Sequence, residues 1–144
     1  MIAYFDTSAL VKLVVVEPGS ELPTQVFGAA RLSATHLIAY AEAHAAISRL
    51  ERTKAVSTPT GQLVRDQLER RWATMWIVGV DEELVRDAAA LTRTFPLKGY
   101  DSVHLAAARR FHALAGNVPV MFACFDNGLN RAAARLGMKT LEQA

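Results

Sequence analysis

The chain has 144 residues, 51% hydrophobic and 21% charged, which suits one folded domain with a sizeable core (residues 1–144) and excludes a disordered polymer. No apolar run approaches the roughly 20 residues needed to span a bilayer, the start Met-Ile-Ala-Tyr-Phe-Asp lacks the basic region of a signal peptide, and the single Cys124 excludes an internal disulfide framework. The expectation is a cytoplasmic protein with no membrane partner, and a formal net charge of +2 does not by itself identify a nucleic-acid binder.

Ile2 to Phe5 is a short apolar run that predicts a buried strand. Asp6-Thr7-Ser8 then supplies helix-capping residues. Ala9 to Val16 is ambiguous, because its valines favour a strand and its position favours a helix. Pro18-Gly19 ends it, and Ser20 to Ala30 predicts a short helix. Leu32 to Ala34 reads as a second strand. Thr35 to about Lys54, rich in Ala and Leu, reads as a long helix. Ser57 caps a further helix reaching about Met75, with Pro59 in its first turn.

Trp76 to Val80 is the next predicted strand, and Asp81-Glu82-Glu83 opens a helix with acids suited to its macrodipole. Pro96 and Gly99 break that helix. A new one starts at Asp101 or Ser102 and runs to about Ala115. Val118 to Phe125 is the clearest buried strand. A last helix follows Asp126-Asn127-Gly128 and ends near Gly137, with a short strand at Met138 to Leu141. Strands alternating with helices imply an α/β fold, a mostly parallel sheet covered on both faces.

Four acids stand in apolar neighbourhoods: Asp6, Glu42, Asp101 and Asp126. Burying a carboxylate is costly unless it is hydrogen-bonded, paired or bound to metal. Ligands of open parallel sheets bind beyond the carboxyl ends of the strands, and Asp6 and Asp126 follow two such ends. Asp101, at a helix start, falls on the same rim. Glu42 lies about two turns into its predicted helix and reaches the rim only if that helix packs beside the first strand. Each Asp alone also reads as a cap or turn residue; the conjunction points to a site.

All-oxygen ligands select Mg²⁺ or Mn²⁺ over Zn²⁺. His36, His44, His104 and His112 are scattered in sequence and assemble no predicted rival site; His104, one turn after Asp101, reads mainly as a core or supporting histidine. Cys124 reads as a small core residue. No phosphate-binding Gly-rich loop and no Gly-x-Ser-x-Gly elbow is present. Carboxylates holding one or two divalent ions suit phosphodiester hydrolysis by activated water. Thr7 and Ser8 are expected to support the acids through their hydroxyls. Lys12, Lys98 and Arg131 are expected to grip phosphates.

The chain resembles the PIN-domain ribonucleases, specifically the VapC-type toxins of bacterial toxin–antitoxin pairs. The resemblance rests on Phe5-Asp6-Thr7-Ser8-Ala9-Leu10-Val11-Lys12, Tyr40-Ala41-Glu42, Tyr100-Asp101-Ser102-Val103-His104-Leu105-Ala106-Ala107-Ala108, and Phe125-Asp126-Asn127-Gly128-Leu129. It implies a PIN-like three-layer α/β/α fold and carries the acidic quartet over to Asp6, Glu42, Asp101 and Asp126. It also implies an RNA substrate, a cognate antitoxin and a homodimer. Where the family often has Ser or Thr just before the fourth acid, this chain has Cys124-Phe125. Other readings are a PIN processing nuclease that is no toxin, or a non-enzymatic, receiver-like signalling domain. A receiver would have an acidic pair after its first strand and a lysine after a late one, where this chain has Thr7 and Asp126.

Overall fold

The computed structural model describes residues 1–143. Five strands form one parallel sheet: β1 (Ile2–Phe5), β2 (Ser33–His36), β3 (Trp76–Val78), β4 (Val120–Ala123) and β5 (Lys139–Thr140), in the order β3-β2-β1-β4-β5. Seven α-helices connect them: α1 (Thr7–Lys12), α2 (Glu21–Ala29), α3 (Ala39–Arg52), α4 (Thr58–Trp72), α5 (Glu82–Thr94), α6 (Gly99–Ala115) and α7 (Asn127–Arg135).

β1 is central, and alternation along it divides the interior. Ile2 and Tyr4 join Val120, Phe122 and residues of α5, α6 and α7 in one cluster. Ala3 and Phe5 join Met121, Ala123 and residues of α1, α3 and α4 in the other. The result is three layers, helices on both faces of the sheet, as the strand–helix alternation predicted. Every residue of β1, β2 and β4 is buried, whereas Trp76 on edge strand β3 is half exposed. Ala106, Ala107 and Ala108 let α6 lie tightly in its layer. Among the described residues no helix is long and apolar enough to cross a membrane.

The ambiguous segment after Asp6 is helical through Lys12, and Leu13, Val14 and Val15 then bury themselves in a turn. Residues 35 and 36 differ from expectation, being strand rather than helix. Thr35 pairs with Ile77 and His36 with Val78; pairing and burial override the Ala/Leu-rich context. Helix α3 therefore starts at Ala39. Ile38, at its N-cap, offers no side-chain cap, and the Ala39 N–H instead donates to His36 Nδ1 at 3.2 Å. The strands at 76 and 120 are shorter than predicted. At its other end α3 closes with Lys54 at φ 60°, its N–H bonded to the Glu51 carbonyl and the Ala55 N–H to that of Leu50. This is a Schellman ending, with lysine where glycine is usual.

Candidate active site

The chain adds β2 and β3 on one side of β1, then crosses back to lay β4 on the other. The strand order therefore reverses between β1 and β4, the place where open α/β sheets bind ligands. Asp6 follows β1 directly. Asp126 follows β4 after Cys124 and Phe125. Both are helix N-caps: Asp6 Oδ1 accepts the Ala9 N–H at 2.9 Å, and Asp126 Oδ1 accepts the Leu129 N–H at 2.7 Å. Ser8 Oγ also donates to Asp6 Oδ1, at 2.7 Å. Capping and site-building are thus one role for these residues. Asn130 Nδ2 donates to the Cys124 carbonyl, tying α7 back to the end of β4.

All four acids line one open pocket of about 400 Å³, together with Thr7, Ser8, Tyr100, His104 and Phe125. Glu42 arrives because α3 begins four residues later than the sequence suggested. It sits in the first turn of that helix rather than two turns in, so the helix start itself delivers it to the rim. Helix α6 starts at Gly99, which places Asp101 in its first turn instead of at its cap.

The acids differ in their partners. Thr7 Oγ1 donates to Glu42 Oε1 at 2.9 Å, and His104 Nε2 lies 3.2 Å from the same oxygen. Burial pushes the Glu42 carboxyl upward, but the hydrogen bond and charge of His104, then Thr7 and His36, outweigh it and hold the group below its ordinary value. Asp101 has no hydrogen-bond partner among the described residues. Burial first, then the negative charge of Asp126, raise its pKa, opposed by His104, with smaller effects of Asp6 upward and Lys98 downward. Asp6, Asp126 and Glu42 each commit one oxygen to donors of the protein and keep the other outside these hydrogen bonds.

His36 and His104, far apart in sequence, do meet, contrary to the expected scatter. Their rings are 4.0 Å apart, and with Glu42 they place ligand-type atoms within 4.8 Å of one another. This grouping resembles a mixed nitrogen–oxygen metal site, but the ring protons argue otherwise. The Ala39 N–H occupies the lone pair of His36 Nδ1, leaving the proton of the neutral ring on Nε2. Burial, then the neighbouring His104, lowers the His36 pKa to about 3, so the ring is neutral. The remaining oxygen donors, Asp6, Asp101, Asp126 and Glu42, form a set that fits a hard divalent ion. The histidine cluster could have been suspected from His104, one helical turn from Asp101, and from a histidine inside the apolar strand Ser-Ala-Thr-His; its partner across the sheet is not encoded by any spacing.

Cys124 is buried, as expected of a core residue, and burial followed by the charge of Asp6 pushes its thiol up. Its sulfur also accepts the Asp126 N–H at 3.2 Å, so it helps orient the acid where the family often has a hydroxyl. Of the expected phosphate-gripping cations, Lys12 is engaged: its Nζ donates to Glu17 Oε1 at 2.8 Å and to the Pro18 carbonyl at 3.0 Å, and it lies 5.0 Å from the Phe125 ring centroid. Lys98 and Arg131 are exposed. Arg131 lines a separate hollow with Asn127 and Asn130. Tyr100 and Phe125, 59% and 38% exposed, were not singled out by sequence and offer aromatic faces at the pocket mouth.

No family model matches the chain. It is 30% identical over 142 residues to Ribonuclease VapC45 and to Ribonuclease VapC49 of Mycobacterium tuberculosis, each match covering 96% of this chain and 93% of the relative. Ribonuclease VapC46 of the same organism is 29% identical over 138 residues, covering 96% and 95%. The fold matches the crystal structure of VapBC2 from Rickettsia felis bound to a DNA fragment from its promoter, with TM-score 0.64, 11% identity and 97% of each chain covered. It also matches FitAcB from Neisseria gonorrhoeae, with TM-score 0.64, 16% identity and 97% and 96% covered. By sequence along nearly its whole length, and with a fold that agrees, the chain belongs to the VapC-type ribonucleases of the PIN-domain family.

Proposed function

We propose that this protein is a divalent-metal-dependent endoribonuclease, the toxin of a type II toxin–antitoxin pair. Its cofactor is Mg²⁺ or Mn²⁺, its substrate RNA, and its partner a cognate antitoxin. It works in the cytoplasm as a homodimer, each copy a single domain spanning 1–144. The observation that carries the reading is the convergence of Asp6, Glu42, Asp101 and Asp126 on one open pocket at the strand-order switch. The relatives named ribonucleases support the reaction class.

Within this reading Asp6, Asp101 and Asp126 hold the ion, with Glu42 completing the set directly or through water. The bound ion supplies charge that offsets the phosphoryl oxygens and makes attacking water more acidic. The chain's own contribution is placement. The caps of α1 and α7 fix Asp6 and Asp126, and the Ser8 hydroxyl keeps Asp6 in one rotamer. Asp101, raised first by burial and then by the charge of Asp126, is where a cation gains most. Exposed Lys98 stands one turn before Asp101, suited to a phosphate. Tyr100 and Phe125 suit stacking by unpaired bases, which favours single-stranded or loop RNA.

The test has two arms. Purified protein should cleave RNA with Mg²⁺ or Mn²⁺, stop in EDTA, and lose binding as salt rises. Expression alone should arrest growth, relieved by co-expression of a neighbouring antitoxin gene and absent in Asp6→Asn. Cleavage persisting in excess EDTA refutes the metal mechanism. Cleavage in vitro with no growth effect from soluble wild type makes it a processing nuclease instead.

A further inference from the structure

Two buried imidazoles converge on one carboxylate oxygen, and each has its tautomer set from behind. His104 Nε2 lies 3.2 Å from Glu42 Oε1 and 3.1 Å from Thr7 Oγ1. The single Thr7 proton is given to Glu42 at 2.9 Å, so Thr7 can only accept from His104. Nε2 must therefore carry a proton, and in the Nε2–H tautomer Nδ1, 3.0 Å from the Tyr4 hydroxyl, accepts from it. Tyr4 is fully buried and stacked on Phe122 with ring centroids 5.7 Å apart. His36 repeats the pattern: its Nδ1 accepts the Ala39 N–H, and its Nε2 points toward Glu42 Oε1 at 3.8 Å with no hydrogen-bond partner among the described residues. An unsatisfied buried N–H carries a desolvation cost. Here it is retained beside a carboxylate.

We propose that His104 is a positioning residue for Glu42. It anchors Oε1 together with Thr7 and leaves Oε2 as the oxygen offered to the ion, while His36, its ring 4.0 Å from that of His104 and tilted by 38°, buttresses it. This rests on the metal-dependent reading above and extends it to a residue that acts through Glu42. The logic is that of the hydrogen bonds that orient metal ligands from outside, whose loss typically costs about 10–100-fold in metal affinity or activity.

The first measurement is a long-range ¹H–¹⁵N spectrum of the imidazoles at neutral pH. Both His36 and His104 should report the Nε2–H tautomer, and Tyr4→Phe, which leaves Thr7 and Glu42 facing Nε2, should keep it in His104. The second is Mn²⁺ affinity, read by the free-ion electron paramagnetic resonance signal, beside RNA cleavage and melting temperature. His104→Leu should weaken Mn²⁺ binding by about 10-fold or more. His104→Gln, whose amide can donate from the same place, should restore most of it even if it melts lower. A packing role alone would make metal affinity follow melting temperature across both variants, which overturns the proposal. So does an Nδ1–H tautomer at His104, or normal Mn²⁺ binding in His104→Leu. Wild-type protein that has both tautomers but binds no Mn²⁺ and leaves RNA intact instead overturns the nuclease reading beneath it.

Discussion

Asp101 and Glu42 face the same pocket from opposite sides, and their surroundings push them in opposite directions. Around Asp101 the protein offers burial and the charges of Asp126 and Asp6, so its carboxyl is raised. Around Glu42 it offers His104 and Thr7, so its carboxyl is lowered despite burial. One side is left electrostatically unfinished while the other is finished by His104 and Thr7 of the chain itself. Oxygen ligands alone do not distinguish these sides; their partners do. The lesson is that a carboxylate cluster has an internal division of labour, with the aspartate side left open for the proposed cation and the glutamate side completed by the fold.

The largest effect that would break this comparison is loss of an aspartate. Asp6→Asn keeps a good helix cap, so the variant should fold, yet RNA cleavage should fall by more than the roughly 10–100-fold typical of groups outside the ligand set. A cleavage assay on the folded variant decides it; near-normal turnover would remove Asp6 from the site.

The next is the ion itself. Mg²⁺ at about 100 times its dissociation constant should stabilise the protein by about 2.7 kcal/mol. For a chain of this size that is several degrees in melting temperature, at about 2–4 °C per kcal/mol. Asp101→Asn should lose this increment, which calorimetry with and without EDTA measures.

The metal-free protein offers a sharper, smaller test with a definite sign. Because folding raises the Asp101 pKa, its ionised form penalises the folded state. The penalty is absent below the ordinary value of 3.8 and complete above the raised one. In EDTA at neutral pH, Asp101→Asn should therefore melt higher than wild type, and the gain should vanish as pH drops below that window. Glu42 has the opposite sign. Its lowered pKa gives stability that is present above 4.5 and lost as pH falls through the depressed folded value. Thr7→Val removes one donor at a cost of about 1 kcal/mol and should reduce that acid-side advantage. Equal pH profiles for wild type and Thr7→Val would show that the glutamate side does not depend on this contact.

The smallest effect lies outside the pocket and serves as a control. Lys54→Gly relieves a left-handed residue at the end of α3 and should add up to about 1 kcal/mol of stability, with cleavage unchanged. A shift in metal affinity there would mean that the far end of α3 communicates with Glu42 at its start.

Much of this arrangement was legible in the amino-acid order. Asp6 and Asp126 announce themselves because each ends an apolar strand and begins a helix, two local signals on one residue. Glu42 was visible as an acid without a neighbouring base, but its depth was misread, since Thr35 and His36 look helical until Ile77 and Val78 pair with them. That pairing is a tertiary fact. The meeting of His36 with His104 is likewise settled by which helix covers which strand. Lys12 looked like a free cation because nothing local reveals that the turn at Pro18 returns Glu17 to it.

The register of the central strand carries a consequence for synthesis. Ile2 pairs with Val120 and Phe5 with Ala123, so the first strand made waits for nearly the last before its second edge is closed. Until then a nascent chain has Asp6 but neither Asp126 nor the wall that holds it. It also presents an unpaired, wholly apolar strand edge, the kind of surface that invites aggregation. A ribosome-bound or truncated chain ending before β4 therefore carries no assembled pocket.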